Sequence, residues 1–366
     1  MPSSLVVQTS FIGDVILTTP LIAKLAETGA VDVVTTPVGA TVLANNPHIR
    51  RVIPYDKQRR DRGVAGFARA AMRARERVSD RTAISPSEAN AATHTRERRD
   101  THTFRSDRCA YLAQGSLRSA ALALTAQCSQ RTGFDTSGGR VLYTHAIPYR
   151  DDWHHARRLL SLADEAYAAT VDTSELRPRL YPGTDDVTAV DTLVRGRTRP
   201  LVAMAPGSVW ATKRWPYYGE LSRRLGDDFD IAIVGGSDDL GGPEDMLRRV
   251  NLLRIVDARG KLSLLGSAEL LRRAVVVVTN DSAPQHLASA MGTPTVTVFG
   301  PTVPGFGFGP LAPMSRAVGQ DGLACRPCDR HGPRRCPLGH WKCMRDVSVA
   351  AVYDAVRETM RQGVVG

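Results

Sequence analysis

Residues 279–302 read TNDSAPQHLASAMGTPTVTVFGPT, and this pattern decides the fold class. The preceding run Val275-Val276-Val277-Val278 is short, β-branched and wholly apolar, as suits a strand buried on both faces. Asn280, Asp281 and Ser282 are helix-capping types, and Pro284 fits a first helical turn. The helix is predicted from about Pro284 through His286, Leu287 and Met291, with Gly292 closing it. Thr295 to Phe299 reads as a second strand, ended by Gly300-Pro301. The helix of such a unit opens at the carboxyl end of a parallel sheet. Its free N–H groups and dipole favour a phosphate or other anion there, although an ordinary capped helix has the same pattern.

The alternation extends outward in both directions. Leu201 to Met204 is a strand signal ending in Ala205-Pro206-Gly207-Ser208, and Thr212-Lys213-Arg214-Trp215-Pro216 precedes a helix through Leu221 and Leu225. Ile231 to Val234 runs into Gly235-Gly236-Ser237-Asp238. Lys213 and Arg214 are the nearest cations to an anion on the 282–286 helix, if both loops share a sheet edge. The chain opens with Leu5-Val6-Val7, a turn containing Gly13 and Asp14, and Leu17, Leu21 and Leu25 at helical spacing, with Pro20 kinking or opening that helix. A lone Asp14 in such a turn is ordinarily a helix cap. Val31 to Thr35, Arg51 to Ile53 and Cys109 to Ala113 are further strands, and Gln114-Gly115-Ser116 is a polar turn followed by Arg118. His154 to Leu162 is helical. Breakers from Arg177-Pro178 to Pro182-Gly183 put a domain boundary near residue 180. The expectation is an α/β protein with two Rossmann-like domains, 1–180 and 181–346, facing a cleft. A terminal helix, 347–366, is expected to pack back on the first domain.

A length of 366 residues suits two domains, and 42% hydrophobic with 23% charged residues suits a soluble globular protein. No apolar run approaches the roughly 18 residues of a membrane span, and the N-terminus lacks a basic signal-peptide flank. Six cysteines without such a signal argue for a reducing cytoplasm. The net charge of +11 points to anionic partners. Much of it lies between Lys57 and Arg108, where Ser79 to Ser106 is polar, nearly free of large apolar residues and expected to be a disordered insertion. Phe104 is its only aromatic residue, which speaks against a nucleic-acid arm.

The ordered motifs FIGDVILTTP, QGSLRSA, GFD, APGSVWATKRWP and TNDSAPQHLASAMGTPTVTVFGPT, with the later CPLGHWKCM, resemble the lipopolysaccharide heptosyltransferases. CPLGHWKCM is most similar to the second-heptose type, and the likeness covers nearly the whole chain outside Ser79 to Ser106. The resemblance implies the glycosyltransferase B architecture and inverting, metal-independent transfer of heptose from ADP-L-glycero-D-manno-heptose. The implied acceptor is the lipid A–core of lipopolysaccharide, met by a cytoplasmic monomer peripheral at the inner membrane. By the same resemblance Asp14 is the general base, and Lys213 neutralises the leaving diphosphate. Ser208, Asp281, Ser282, Ala283 and His286 fall at donor-site positions, while Gln114, Ser116 and Arg118 are candidates for the acceptor side. Ala283 stands where many relatives have Gly. No Asp-x-Asp metal motif lies in a suitable loop. The alternatives are an enzyme of this architecture using another nucleotide sugar, an epimerase included, or a non-enzymatic binder of anionic surfaces.

Cys325-x2-Cys328-x7-Cys336-x6-Cys343, with His331 and His340 between, offers a structural tetrahedral zinc site. The spacing departs from common fingers, so free thiols or a stress-formed disulfide are the other readings. No cofactor is expected for catalysis.

Overall fold

The computed structural model describes residues 3–76, 108–239 and 254–363; the segment expected to be disordered, Ser79 to Ser106, lies outside them. The first half begins with β1 (Ser3–Gln8), α1 (Ile12–Leu17), α2 (Thr19–Ala26), β2 (Ala30–Thr35), α3 (Pro37–Val42), β3 (Arg51–Pro54) and α4 (Gly63–Arg75). It continues with β4 (Arg108–Leu112), α5 (Leu117–Thr125), β5 (Gln130–Phe134), β6 (His145–Ile147), α6 (His155–Ser161) and α7 (Glu165–Thr170). The second half comprises α8 (Thr184–Leu193), β7 (Leu201–Ala205), α9 (Tyr218–Leu225), β8 (Asp230–Ile233), β9 (Ile255–Asp257), α10 (Leu264–Arg272) and β10 (Val276–Asn280). It closes with α11 (Ala283–Met291), β11 (Thr295–Phe299), β12 (Ser315–Gly319), α12 (Lys342–Arg345) and α13 (Val349–Gly363).

Each half builds one six-stranded parallel sheet, in the orders β3-β2-β1-β4-β5-β6 and β12-β11-β10-β7-β8-β9. β7, β10 and β11 are buried along their whole length, which explains their unbroken apolar or threonine-rich runs. The strand order reverses between β1 and β4 and again between β7 and β10. Those are the points where an open α/β sheet receives a ligand at its carboxyl edge.

Pro20 settles the first helix locally. It stands in the first turn of α2 and cannot donate to the carbonyl one turn back; the Thr19 hydroxyl donates to that carbonyl, Ile16 O, at 2.9 Å. The helical stretch is therefore split in two, and the short α1 carries Asp14 at the sheet edge.

Apolar and polar contacts join the halves. Ile16 and Val42 of the first domain pack into the cluster containing Leu265 and Leu287 of the second. The Arg158 guanidinium is 1% exposed yet faces carbonyls and a hydroxyl rather than a carboxylate. It donates to Arg150 O at 2.6 Å, Asp151 O at 2.6 Å and Tyr149 OH at 3.0 Å, and across the domains to Phe306 O at 3.2 Å. The expectation that the C-terminal helix packs on the first domain is corrected. Val352, Ala355 and Val356 of α13 join the core of Trp215, Tyr218, Val296 and Val298, because their apolar stripe meets the outer face of the second sheet.

Because Arg158 satisfies four oxygens at once, Arg158→Met should lower the unfolding free energy by about 2–4 kcal/mol in urea titrations. Arg158→Lys should recover only part of that loss, since one ammonium cannot reproduce the fork.

Candidate active site

Asn280 ends β10 fully buried, and its amide organises the facing loop. Oδ1 accepts from Trp215 N–H and Tyr218 OH, both at 3.1 Å, while Nδ2 donates to Pro206 O at 2.8 Å. The segment from Pro206 to Tyr218 is thus held against the start of α11. Ser282 occupies the N-cap of α11 without a side-chain cap bond, and its hydroxyl turns back toward Asn280 O at 3.4 Å. Ser282 and Ala283 line the cleft between the domains, so their backbone N–H groups are offered to a ligand, while Pro284 has none and that of Gln285 donates to Ser282 O at 3.1 Å. Ser208 lines the same cleft, of about 660 Å³.

Lys213 ends a short turn on that loop and is 8% exposed. Its Nζ donates to Asp281 Oδ2 at 2.6 Å, where the Thr302 hydroxyl also donates at 2.6 Å. Gln285 Nε2 donates to Asp281 Oδ1 at 3.2 Å. Asp281 therefore faces Lys213 and fixes the ammonium at the cleft wall. Arg214, also expected near the anion, is exposed and donates from Nε to Ser208 O at 2.9 Å, stiffening the loop.

Asp14 faces this group from α1 of the other domain and lines the cleft. Burial raises its pKa from 3.8 to about 6, opposed by the backbone N–H of Phe11. Three histidines surround the region. Burial, above all, pushes His154 and His286 down to about 4 and His155 to about 3, so each is neutral at pH 7. His155 Nε2 lies 3.5 Å from Asp14 Oδ1. The His286 ring crowds α1 so closely that a Cβ at position 13 would lie 2.8 Å from its Cδ2. Only glycine fits there. Lys57, Arg59 and Arg330 add a basic wall to the cleft.

A sequence model described as glycosyltransferase family 9 (heptosyltransferase) matches residues 103–341. The chain belongs to glycosyltransferase family 9. Among curated proteins, this family 9 glycosyltransferase is 25% identical over 179 residues to lipooligosaccharide heptosyltransferase 2 of Campylobacter jejuni, covering 46% of this chain and 54% of that one. It is 26% identical over 238 residues to lipopolysaccharide heptosyltransferase 2 of Salmonella typhimurium, covering 60% and 68%. The aligned part thus spans between half and about two thirds of these relatives. In fold it is similar to E. coli ADP-heptose LPS heptosyltransferase II, with a TM-score of 0.75 over 99% of both chains at 21% identity. E. coli heptosyltransferase WaaC with ADP-2-deoxy-2-fluoro heptose aligns at a TM-score of 0.66 and 19% identity, over 97% of this chain and 99% of that one. The two-sheet architecture agrees with these structures.

The structure gathers Asp14, Ser208, Lys213, Asp281, Ser282, Ala283 and His286 around one cleft, whereas Gln114, Ser116 and Arg118 are not among the residues lining it. Ser116 caps α5 through Ser119 N–H at 3.2 Å and donates to Gln114 Oε1 at 2.8 Å. Arg118 Nη1 reaches Tyr55 OH at 3.4 Å, just behind the cleft wall. His155, Lys57, Arg59 and Arg330 escaped the sequence reading. The His154-His155 pair opening a helix was the available signal for the first, and the charged stretch after β3 for Lys57 and Arg59.

Cys325, Cys328, Cys336 and Cys343, expected as a possible structural zinc site, lie near one another but are not assembled as a ligand set. Cys343 is part of the apolar core under α13, and its thiol is raised to about 11 by burial and then by the neighbouring Cys328, Cys336 and Cys325. The Cys336 thiol is lowered by backbone N–H groups of residues 338–341. Cys325 approaches His340 Nε2 at 3.8 Å. Among the described residues no group of three or more His, Cys, Asp or Glu side chains is placed to hold a metal ion. Nor does any described helix have the length and apolarity to cross a membrane.

Gly13→Ala tests the close approach. The added methyl should force α1 and α11 apart and cost about 1–3 kcal/mol. Pairing it with His286→Ala should return most of that stability in thermal melts.

Proposed function

We propose that this family 9 glycosyltransferase transfers heptose from ADP-L-glycero-D-manno-heptose to the inner core of lipopolysaccharide, with inversion and without a catalytic metal. What carries this reading is the division of the cleft between a carboxylate on one domain and cationic, N–H-rich groups on the other. The named relatives and the fluoro-heptose structure support the choice of sugar. In the proposed step the acceptor hydroxyl attacks the anomeric carbon and Asp14 takes its proton. The bond from that carbon to the diphosphate oxygen breaks on the opposite face. Charge gathering on the departing ADP meets Lys213 and the N–H groups at Ser282 and Ala283, which supply the counter-charge a metal provides elsewhere. His286 and Asp281 close the donor side, and Ser208 holds the loop beside it.

Lys57, Arg59 and Arg330 suit an anionic acceptor such as a lipid A–core. We place the enzyme as a monomer on the cytoplasmic face of the inner membrane, where such an acceptor is met; the net charge of +11 supports attraction to that surface. A mass-spectrometric screen of nucleotide sugars retained by the protein should recover ADP-heptose. Retention of a UDP-sugar instead would move the assignment to another glycosyltransferase or an epimerase of the same architecture.

Asp14→Asn should reduce turnover by about 10²–10⁴-fold with donor affinity little changed, whereas Lys213→Ala should weaken both. The base must be ionised, so kcat/KM should rise with pH through about 6 and level off above it. Stability should move the other way. A carboxyl whose folded pKa lies above its unfolded value opposes folding once ionised, so Asp14→Asn should melt higher than the parent above pH 6. Near-normal turnover in Asp14→Asn would reduce that carboxylate to a helix cap.

A further inference from the structure

The histidine pair that opens α6 touches the proposed base on one side and the second domain on the other. His155 Nε2 lies 3.5 Å from Asp14 Oδ1. Its ring lies against Phe308, a second-domain residue lining the cleft, with centroids 4.8 Å apart at 31°. Its backbone N–H donates to Gly307 O at 2.7 Å. Next to it, the His154 ring is fixed at both nitrogens: Nδ1 accepts from Ala156 N–H at 3.2 Å, leaving Nε2–H to donate to Gly309 O at 3.0 Å. Gly307 adopts φ +89°, and a Cβ there would stand 2.6 Å from Trp153 O, so this seam admits no bulk. His155 is therefore held by the segment 307–309 while its polar edge looks at Asp14.

We propose that His155 is the positioning residue of Asp14: it donates from Nε2–H, aims the carboxylate at the acceptor hydroxyl, and makes that aim depend on the docked second domain. This rests on Asp14 being the base. The tautomer follows from the surroundings. His155 Nδ1 is buried with no partner among the described residues, and a bare lone pair there costs less than an unmet N–H. The opposite tautomer would also turn a lone pair toward the carboxylate. The groups facing the ring are Asp14 from α1, His286 from α11, and His154 and Arg158 from its own segment. Burial and the last three keep it uncharged, so it orients the base without taking the proton. A separation of 3.5 Å is long for this bond, as is common before a substrate tightens the site.

The test compares His155→Phe, which keeps a ring on Phe308 but has no donor, with His155→Gln, whose amide N–H reaches a similar position. ADP-heptose and a lipid A–core acceptor are the substrates. His155→Phe should lower kcat about 10–100-fold with the donor KM unchanged, in line with loss of a hydrogen bond to a charged group. Without the donor the carboxylate is less stabilised, so the acidic limb should move above pH 6. His155→Gln should restore most of kcat and return the limb toward 6. If the phenylalanine protein melts below the assay temperature, His155→Asn takes its place, its amide being too short to reach Asp14. Parental kcat and limb in His155→Phe, or equal losses in both variants with the limb unmoved, would overturn the proposal. Asp14→Asn separates the two assignments: turnover there sinks the base itself, whereas an inactive Asp14→Asn beside a normal His155→Phe sinks only the role of His155.

Discussion

The approach of the His286 ring to the backbone of Gly13 governs how the two halves become one site. α1 and α11 both start at the carboxyl edge of a parallel sheet, and both bring chemistry there within their first turn. Their separation is set by the absence of a side chain at position 13. Behind this contact Ile16 and Val42 bury against Leu265 and Leu287, so apolar area supplies the adhesion while the front of the seam stays polar. A domain interface this close fixes angles as well as distance. Arg158 extends the same seam by bonding to carbonyls of both domains.

Burial then sorts the charges. Desolvation favours whichever form of a group is neutral, so it raises the Asp14 carboxyl and depresses the imidazoles of His154, His155 and His286. A carboxyl raised to about 6 beside uncharged rings is what remains. Asp281 stands in a different setting, where Lys213 and the Thr302 hydroxyl meet the same carboxylate oxygen. Among the described residues, one side of the cleft thus carries a buried carboxyl without a cation beside it, the proposed base, and the other a fixed ion pair.

Both sheets were legible because fully buried strands leave unbroken apolar runs, as Val275 to Val278 and Ile231 to Val234 show. The split at Pro20 was legible too, since a missing N–H is a local property. Asp14 and Lys213 stood out through ordered motifs, not through spacing in their neighbourhoods. What escaped was set by contacts distant in sequence. Asp281 reads as a cap or sugar ligand until a lysine 68 positions away is seen beside it. Ser116 and Gln114 resemble a binding turn but close a cap on themselves. The stripe of α13 shows an apolar face without saying which sheet it covers. Cysteine spacing likewise carries no direction for the Cys343 side chain, which the core claims.

The Lys213–Asp281 pair also bears on how the site empties. A diphosphate entering the cleft must draw the ammonium away from a carboxylate already bound to it, so the anion's gain is a difference between two partnerships. When the proposed diphosphate product loosens, Asp281 stands ready at hydrogen-bond distance to reclaim the same cation. The internal carboxylate thereby acts as a resident competitor. In the proposed reaction it limits how tightly the spent nucleotide is retained and holds the lysine in place for the next round.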